Sequence, residues 1–475
     1  MSHVKELPVA VIGAGPVGLA AAAHLVTRGI PLFVFERDDT VGASLLEWGH
    51  VRVFSPWKYN IDAAARSLLE KAGWHGPHDD ALPTGSDIVG TYLQPLAALP
   101  QIAQNLKLGV TVNAITREGL DKVSSVGRDG SAFIVQYRNR HEQEERLRVR
   151  AVIDATGTWT QPNPIGVDGL PVPGEAAASD HIFYGIPDVA GAKKATFAGK
   201  RVLVIGGGHS AINAALALME VQETEPSTEI FWALRRGGVD RLLGGGLNDQ
   251  LPERGALGLA AKSAMEDGRL NMLAPFAVNR IQQEGDSLRV EAKLAGADYS
   301  MVVDRIIVTT GFRPDLSFLR ELRIALDPIV EAPPALAPLI DPNLHSCGDV
   351  PPHGVVELAH PEPGFTIVGS KSYGRAPTFL MATGYEQVRS VVAEIAGDHK
   401  AAREVHLVLP KTGVCSVDLG VSLMEGGESG TCCGGPAPAN VDACCAADAA
   451  AKAAERTGCG CNGATRADGT LEQVR

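Results

Sequence analysis

Two glycine-rich turns hold most of the chemistry legible in this chain. The first is Val9-Ala10-Val11-Ile12-Gly13-Ala14-Gly15-Pro16-Val17-Gly18-Leu19, an apolar strand entering Gly-x-Gly-x-x-Gly and then an Ala/Leu-rich helical run. Gly13 permits the tight turn, Gly15 lets backbone approach a pyrophosphate, and Gly18 lets the helix lie close on the strand. The helix that opens at Pro16 then aims its N–H groups and dipole at the phosphates. The next strand, Pro31 to Phe35, ends in Glu36-Arg37, and a carboxylate about twenty residues after such a turn is placed to bind a ribose. Strand, turn, helix and acid together make this a dinucleotide site.

The second turn is Val202-Leu203-Val204-Ile205-Gly206-Gly207-Gly208-His209-Ser210-Ala211, with alanine at the third small position. His209 and Ser210 open its helix and can donate to a pyrophosphate, although Ser210 is equally a plain N-cap. Its following strand, Ile230 to Leu234, ends in Arg235-Arg236 rather than an acid. Guanidinium groups there pair with a 2′-phosphate, which favours NADP over NAD.

The elements around these turns follow from strand and turn signals. Ala151-Val152-Ile153-Asp154-Ala155-Thr156-Gly157 is an apolar strand with a glycine stop, and Arg305 to Gly311 repeats the shape. The two stops read as crossings between a parent domain and an inserted one. The expected division has four segments. Residues 1–157 open the FAD-binding domain, 158–310 form an inserted NADPH-binding domain, 311–410 complete the FAD-binding domain, and 411–475 are a flexible Cys-rich tail. The fold class is α/β, with two Rossmann-like, three-layer ββα dinucleotide-binding domains. Segments 108–112, 132–137 and 145–149 alternate as antiparallel strands, and 63–72 has helical spacing. The segment 48–60 reads as a loop rich in aromatic and polar residues. Its rings suggest a wall beside a cofactor, or equally a small hydrophobic core beneath the loop. Trp57, Lys58, Tyr59 and Arg375 are the candidates for a substrate pocket.

Composition narrows the partners. The 475 residues exceed one ordinary core, and 45% hydrophobic with 21% charged residues is globular. A net charge of −12 argues against nucleic acid or an anionic membrane. No apolar run approaches the ~20 residues that span a bilayer, and the first strand begins too early to leave room for a leader peptide. A cytoplasmic protein is expected, with a homodimer a further expectation. The eight cysteines all lie at or after Cys347, six of them from Cys432 to Cys461. Close thiol pairs Cys432/Cys433, Cys444/Cys445 and Cys459/Cys461 suit a soft thiophilic ion, or else belong to a disordered tail with incidental thiols.

The paired fingerprints, one followed by an acid and the other by basic residues, imply FAD in the first and NADPH in the second. The arrangement over roughly residues 7–400 resembles the flavoproteins with two dinucleotide-binding domains: flavin-containing and Baeyer–Villiger monooxygenases and thioredoxin-reductase-like proteins. The resemblance implies a late Gly-Asp on the ribityl chain, followed by a helix that faces the flavin pyrimidine. Cys347-Gly348-Asp349 has the letters, but Gly369-Ser370 has the preceding strand and the following helix-like segment 377–388 with Thr383, so Asp349 is taken as a decoy. The Phe-x-Gly-x-x-x-His signature of the monooxygenases is only partly matched by Pro173-Gly174-Glu175 and His181, a residue that either couples NADP to flavin or is structural. Without cysteine in the first 346 residues, reduction of an internal disulfide is excluded.

The tail and the segments 47–57 and 372–379 look like the flavoproteins that accompany arsenic-resistance genes. The implied function is an FAD- and NADPH-dependent monooxygenase using O2 on a small molecule such as a trivalent arsenical, captured by the tail. The alternatives are an NADPH-dependent flavin reductase of a metalloid or quinone, and a non-catalytic metal-binding redox sensor.

Overall fold

The architecture comes from a computed structural model, which describes residues 2–236, 260, 262–344, 350–376 and 379–407. The cysteines proposed as metal ligands, Cys347-Gly348-Asp349 and the tail segment 411–475 all lie outside the described residues.

The first sheet is parallel throughout. It comprises β1 (Val9–Ile12), β2 (Leu32–Phe35), β3 (Leu106–Lys107), β7 (Ala151–Asp154) and β16 (Phe365–Ile367), in the order β16-β7-β1-β2-β3. Period-two alternation gives β1 two different faces. Val9 and Val11 pack with Leu19, Ala22 and Leu25 of α1 (Pro16–Thr27). Ala10 and Ile12 pack with Ile115, Phe133 and Val149 of an antiparallel sheet. That sheet is β4 (Thr111–Arg117), β5 (Phe133–Arg138) and β6 (Glu144–Val149). The first of these strands begins at Thr111 rather than Leu108, because the chain bends at Gly109, which takes φ +67°, before Val110 enters the hydrophobic face.

The chain leaves this sheet after β7 and returns to it only at β16. In between it builds a second parallel sheet, ordered β11-β10-β9-β15-β8. Its strands are β8 (Ile182–Tyr184), β9 (Arg201–Ile205), β10 (Glu229–Ala233), β11 (Asn271–Leu273) and β15 (Arg305–Val308). Val202 and Val204 face Ala211, Ile212 and Ala215, whereas Leu203 and Ile205 face Val278, Val290 and Val303. The latter belong to a hairpin sheet, β12 (Phe276–Glu284), β13 (Ser287–Leu294) and β14 (Ala297–Val303). Each parallel sheet thus lies between helices and a small antiparallel sheet.

Three more helices bear on the site. α2 (Ala63–Lys71) is N-capped by Asp62, whose carboxylate accepts from Ala65 N–H. α3 (His209–Thr224) follows β9, and α4 (Met381–Ile395) packs on α1. The helical run expected from Pro377 thus begins at Met381.

Candidate functional site

The first cradle is set by three glycines with different constraints. Gly13 has φ +98°, and a Cβ there would lie 2.7 Å from Ala155 O. A Cβ on Gly18 would lie 2.0 Å from Gly13 O. Gly15, the N-cap of α1, has nothing within 4 Å of where a Cβ would be. The helix start is therefore open to an approaching phosphate, and α1 runs twelve residues behind it, long enough for its dipole to count. Glu36 stands beside this turn. Its Oε2 accepts from Ala14 N–H at 2.7 Å and its Oε1 from Asp38 N–H at 3.1 Å. Burial pushes the Glu36 carboxyl upward and the two backbone bonds oppose that shift. Each oxygen keeps a lone pair for a ribose hydroxyl. Arg37 turns outward, with its Nε 3.3 Å from Asp38.

Two further turns complete this cradle. After β7, Gly157 takes φ +67°, and a Cβ on it would lie 3.6 Å from Ser370 Oγ. After β16, Gly369 takes φ +72° against Val17, and its N–H donates to Gln387 Oε1 at 2.7 Å. Gln387 also donates to Ser372 Oγ and to His353 Nε2, both at 2.9 Å, while His353 Nδ1 lies 3.0 Å from the Pro351 carbonyl. An Nδ1–H tautomer satisfies both neighbours, and burial lowers the His353 pKa, so its ring stays neutral. Thr383, buried near the start of α4, bonds to Tyr373. Glu36, Gly157, Gly369 and Ser370 therefore converge on one opening, and Thr383 backs it from the helix behind.

The second cradle repeats the pattern with less cover. Gly206 takes φ +139°, and a Cβ on it would lie 2.3 Å from Thr309 Oγ1. Trp232 Nε1–H donates to Gly206 O at 2.7 Å and pins the turn from below. Gly208, the N-cap of α3, again has nothing within 4 Å of a would-be Cβ. Arg235 and Arg236 follow β10, which pairs Ala233 with Ile205, so both residues sit at the strand end neighbouring the glycine turn, with part of the Arg235 side chain covered. Burial and the neighbouring Arg236 charge lower the Arg235 pKa. Two neighbouring guanidinium groups are chemically suited to an anion.

The two crossings between the sheets form one ribbon. Pro162 bridges to Phe312, and Trp159 stacks on Phe312 with ring centroids 4.3 Å apart. Asn163 N–H donates to Gly311 O at 2.9 Å, and Thr310 Oγ1–H donates back to Asn163 O at 2.8 Å. From the first-sheet side, Trp159 Nε1–H donates to Glu47 Oε2 at 2.7 Å, and Trp48 lies 6.5 Å from the Trp159 ring. Phe54 lies 5.6 Å from the ring of His209 at the second cradle. The aromatic segment 48–60 thus contributes to the gap through Trp48 and Phe54.

The other expected pocket residues are placed differently. Trp57 is a core residue, 4% exposed, packed among the aliphatics around α1. Lys58 is exposed, ion-paired with Asp80 at 2.8 Å, beside a half-buried Tyr59. Lys58 lines an open groove of about 420 Å³ with Arg66, Glu70 and Asp79. Arg375 pairs with Glu331 at 3.0 Å. Of the two readings of His181, its placement favours the structural one. It precedes the N-terminal end of β8, whereas Gly206 follows the C-terminal end of the parallel β9, so a strand's length separates them. Its Nδ1 lies 2.8 Å from Arg305 and its Nε2 3.4 Å from Gln283.

Residues 7–362 match the family model described as pyridine nucleotide-disulphide oxidoreductase. The chain belongs to this family. FAD and NADPH are the cofactors of this family, and the helix starts at Gly15 and Gly208 are both open. A ferredoxin–NADP reductase from Thermus thermophilus is 25% identical over 354 residues, covering 72% of this chain and 84% of the relative. One from Lactococcus lactis is 28% identical over 257 residues, and the match spans 64% of its length. Among solved structures, bacillithiol disulfide reductase from Bacillus cereus aligns with TM-score 0.59 at 19% identity, covering 82% of this chain and 99% of that one. A flavin-containing monooxygenase from Stenotrophomonas maltophilia aligns at TM-score 0.50 and 21% identity, covering 82% and 98%. These structures share the fold. Among the described residues no helix is long and apolar enough to cross a membrane.

Proposed function

We propose that the protein is an NADPH-dependent flavin reductase that passes electrons to a small diffusible acceptor, such as a quinone or an oxidised metalloid. The observation that carries this reading is the pair of open cradles in a chain with no cysteine before Cys347. Two electrons must enter and leave the site, and no dithiol in the first 346 residues can receive them. When bound, FAD supplies the two-electron relay between NADPH and the acceptor. Gly13, Gly15, Gly18, Glu36, Gly157, Gly369 and Ser370 bind and orient it. Gly206, Gly208, His209 and Ser210 bind the pyrophosphate of NADPH, and Arg235 with Arg236 selects its 2′-phosphate. The ferredoxin–NADP reductase relatives support electron transfer to an external acceptor.

A second reading, a monooxygenase, is favoured by one observation. Trp48, Trp159 and Phe312 form an aromatic cover at the ribbon between the sheets, and such cover keeps water from a reactive site. Oxygen dependence separates the two. A reductase oxidises NADPH through many turnovers under argon when given menadione. A monooxygenase stops after one equivalent under argon and, in air, releases less hydrogen peroxide than the NADPH it consumes. Sustained anaerobic turnover with menadione is expected, and arrest after one equivalent overturns the reductase. Arsenical capture by Cys432, Cys433, Cys444, Cys445, Cys459 and Cys461 is tested separately by truncating residues 425–475. Unchanged affinity for a trivalent arsenical would eliminate that role.

A further inference from the structure

Beneath the joint between the second and third turns of the FAD cradle lies an ion pair that ribose and phosphate binding does not require. Lys371 Nζ is 2.7 Å from Asp154 Oδ2, and both side chains are 0% exposed. Lys371 also donates to Thr156 Oγ1 at 3.0 Å and lies 4.4 Å from the centroid of the Phe318 ring. The other Asp154 oxygen, Oδ1, accepts from Thr156 N–H at 3.1 Å and Thr156 Oγ1–H at 2.7 Å. Asp154 ends β7 and Lys371 follows Gly369-Ser370 beyond β16, so the pair fastens neighbouring strand ends together. A buried pair of this kind adds little to stability by itself, because desolvation offsets the attraction. Its position is informative: it compensates two unit charges one residue from Ser370, where the family resemblance expects a carboxylate.

We propose that Lys371 and Asp154 are positioning residues that form a charge-compensated clasp, seating the Gly369-Ser370 turn against Thr156-Gly157 and holding the electrostatic potential at the flavin near neutral. The inference rests on the assignment of this cradle to FAD. Reduction adds electrons to the flavin, so an uncompensated charge nearby shifts its midpoint potential by a sign that depends on which partner remains. Lys371→Met leaves Asp154 negative and should lower the potential. Asp154→Asn leaves Lys371 positive and should raise it. The double variant removes both charges and should return to the wild-type value. The expected size of each single shift is about tenfold in the reduced-to-oxidised ratio at fixed poise, or about 30 mV for a two-electron couple.

The experiment is dye-equilibrated potentiometry of the holoprotein, with FAD retention measured by fluorescence in parallel. Opposite shifts that cancel in the double variant support the clasp. Shifts of the same sign, or none, overturn it, since a merely mechanical pin has no reason to give opposed signs. If a single variant fails to fold, Lys371→Arg and the double variant still decide the matter. Both keep the local charge balanced and should match the wild-type potential, and a displaced potential in either overturns the proposal. A wild-type chain that binds no FAD defeats the functional reading itself, a result distinct from any of these.

Discussion

The two cradles use the same turn but differ in what surrounds it. The first is closed by turns from three strand ends, with a half-buried carboxylate on one side and a buried ion pair below. The second is one turn pinned by Trp232 and Thr309, flanked by two exposed arginines. Groups already desolvated and hydrogen-bonded hold a ligand without further ordering, whereas exposed cations attract one quickly and release it. The difference suits a cofactor that stays in the first cradle and a dinucleotide that exchanges at the second.

The largest expected effect lies at the other end of the first sheet, just before β16. Glu362 is fully buried and accepts from Arg117 Nε at 2.8 Å and Arg128 Nη2 at 2.7 Å. These guanidinium groups hold its carboxyl below its ordinary range despite burial. Glu362→Ala strands both cations and should cost about 3–5 kcal/mol, measured by chemical denaturation. No single substitution of an exposed charge around the second cradle should approach that.

Next come the glycines. Gly18→Val forces a side chain into Gly13 O and should weaken FAD binding about 100-fold while lowering Tm. Gly15→Ala meets no protein atom, so it should leave the apoprotein Tm unchanged and weaken only FAD binding. Equal Tm losses in the two variants would remove the distinction between packing and ligand space.

At the second cradle, replacing Arg235 and Arg236 with Ala should raise the NADPH KM about 10- to 100-fold, the worth of one or two charged hydrogen bonds. The NADH KM should barely move. Parallel increases would place the 2′-phosphate elsewhere.

The smallest effect is a pH slope at the first cradle. The folded pKa of His353 is lowered, so the unfolded chain takes up a proton first as pH falls. Stability should be complete above about pH 6.5, the ordinary histidine value, and decline below it. His353→Gln should flatten that decline in Tm measured from pH 7.5 to 5, and an unchanged slope would assign it to other groups such as His360, which burial also shifts downward.

Local spacing makes the strand–turn–helix units legible. The apolar runs ending at Ile12 and Ile205 and the small residues after them leave few conformations open. The antiparallel strand near residue 110 starts later than its alternation suggests, because the alternation continues through a glycine bend that spacing cannot locate. α4 starts four residues beyond Pro377, since that proline is as good a start signal as Leu380-Met381. Trp57 and Lys58 have the residue types of a pocket, yet burial takes one and a surface carboxylate the other. The Asp154–Lys371 clasp leaves no signal, because 217 residues separate its partners.

The order of amino acids by itself determined the two nucleotide turns and the acid and arginines that come after them. It also determined that no early cysteine pair is present. These are properties of contiguous segments, fixed by short-range sterics and periodicity. Only the tertiary structure decided that the turns at Gly157 and Gly369 lie next to the one at Gly13 and that His181 lies a strand's length from Gly206. It also placed Trp159 against Phe312. Such facts depend on which strand ends become neighbours, and that is settled by burying side chains from distant segments in a common core.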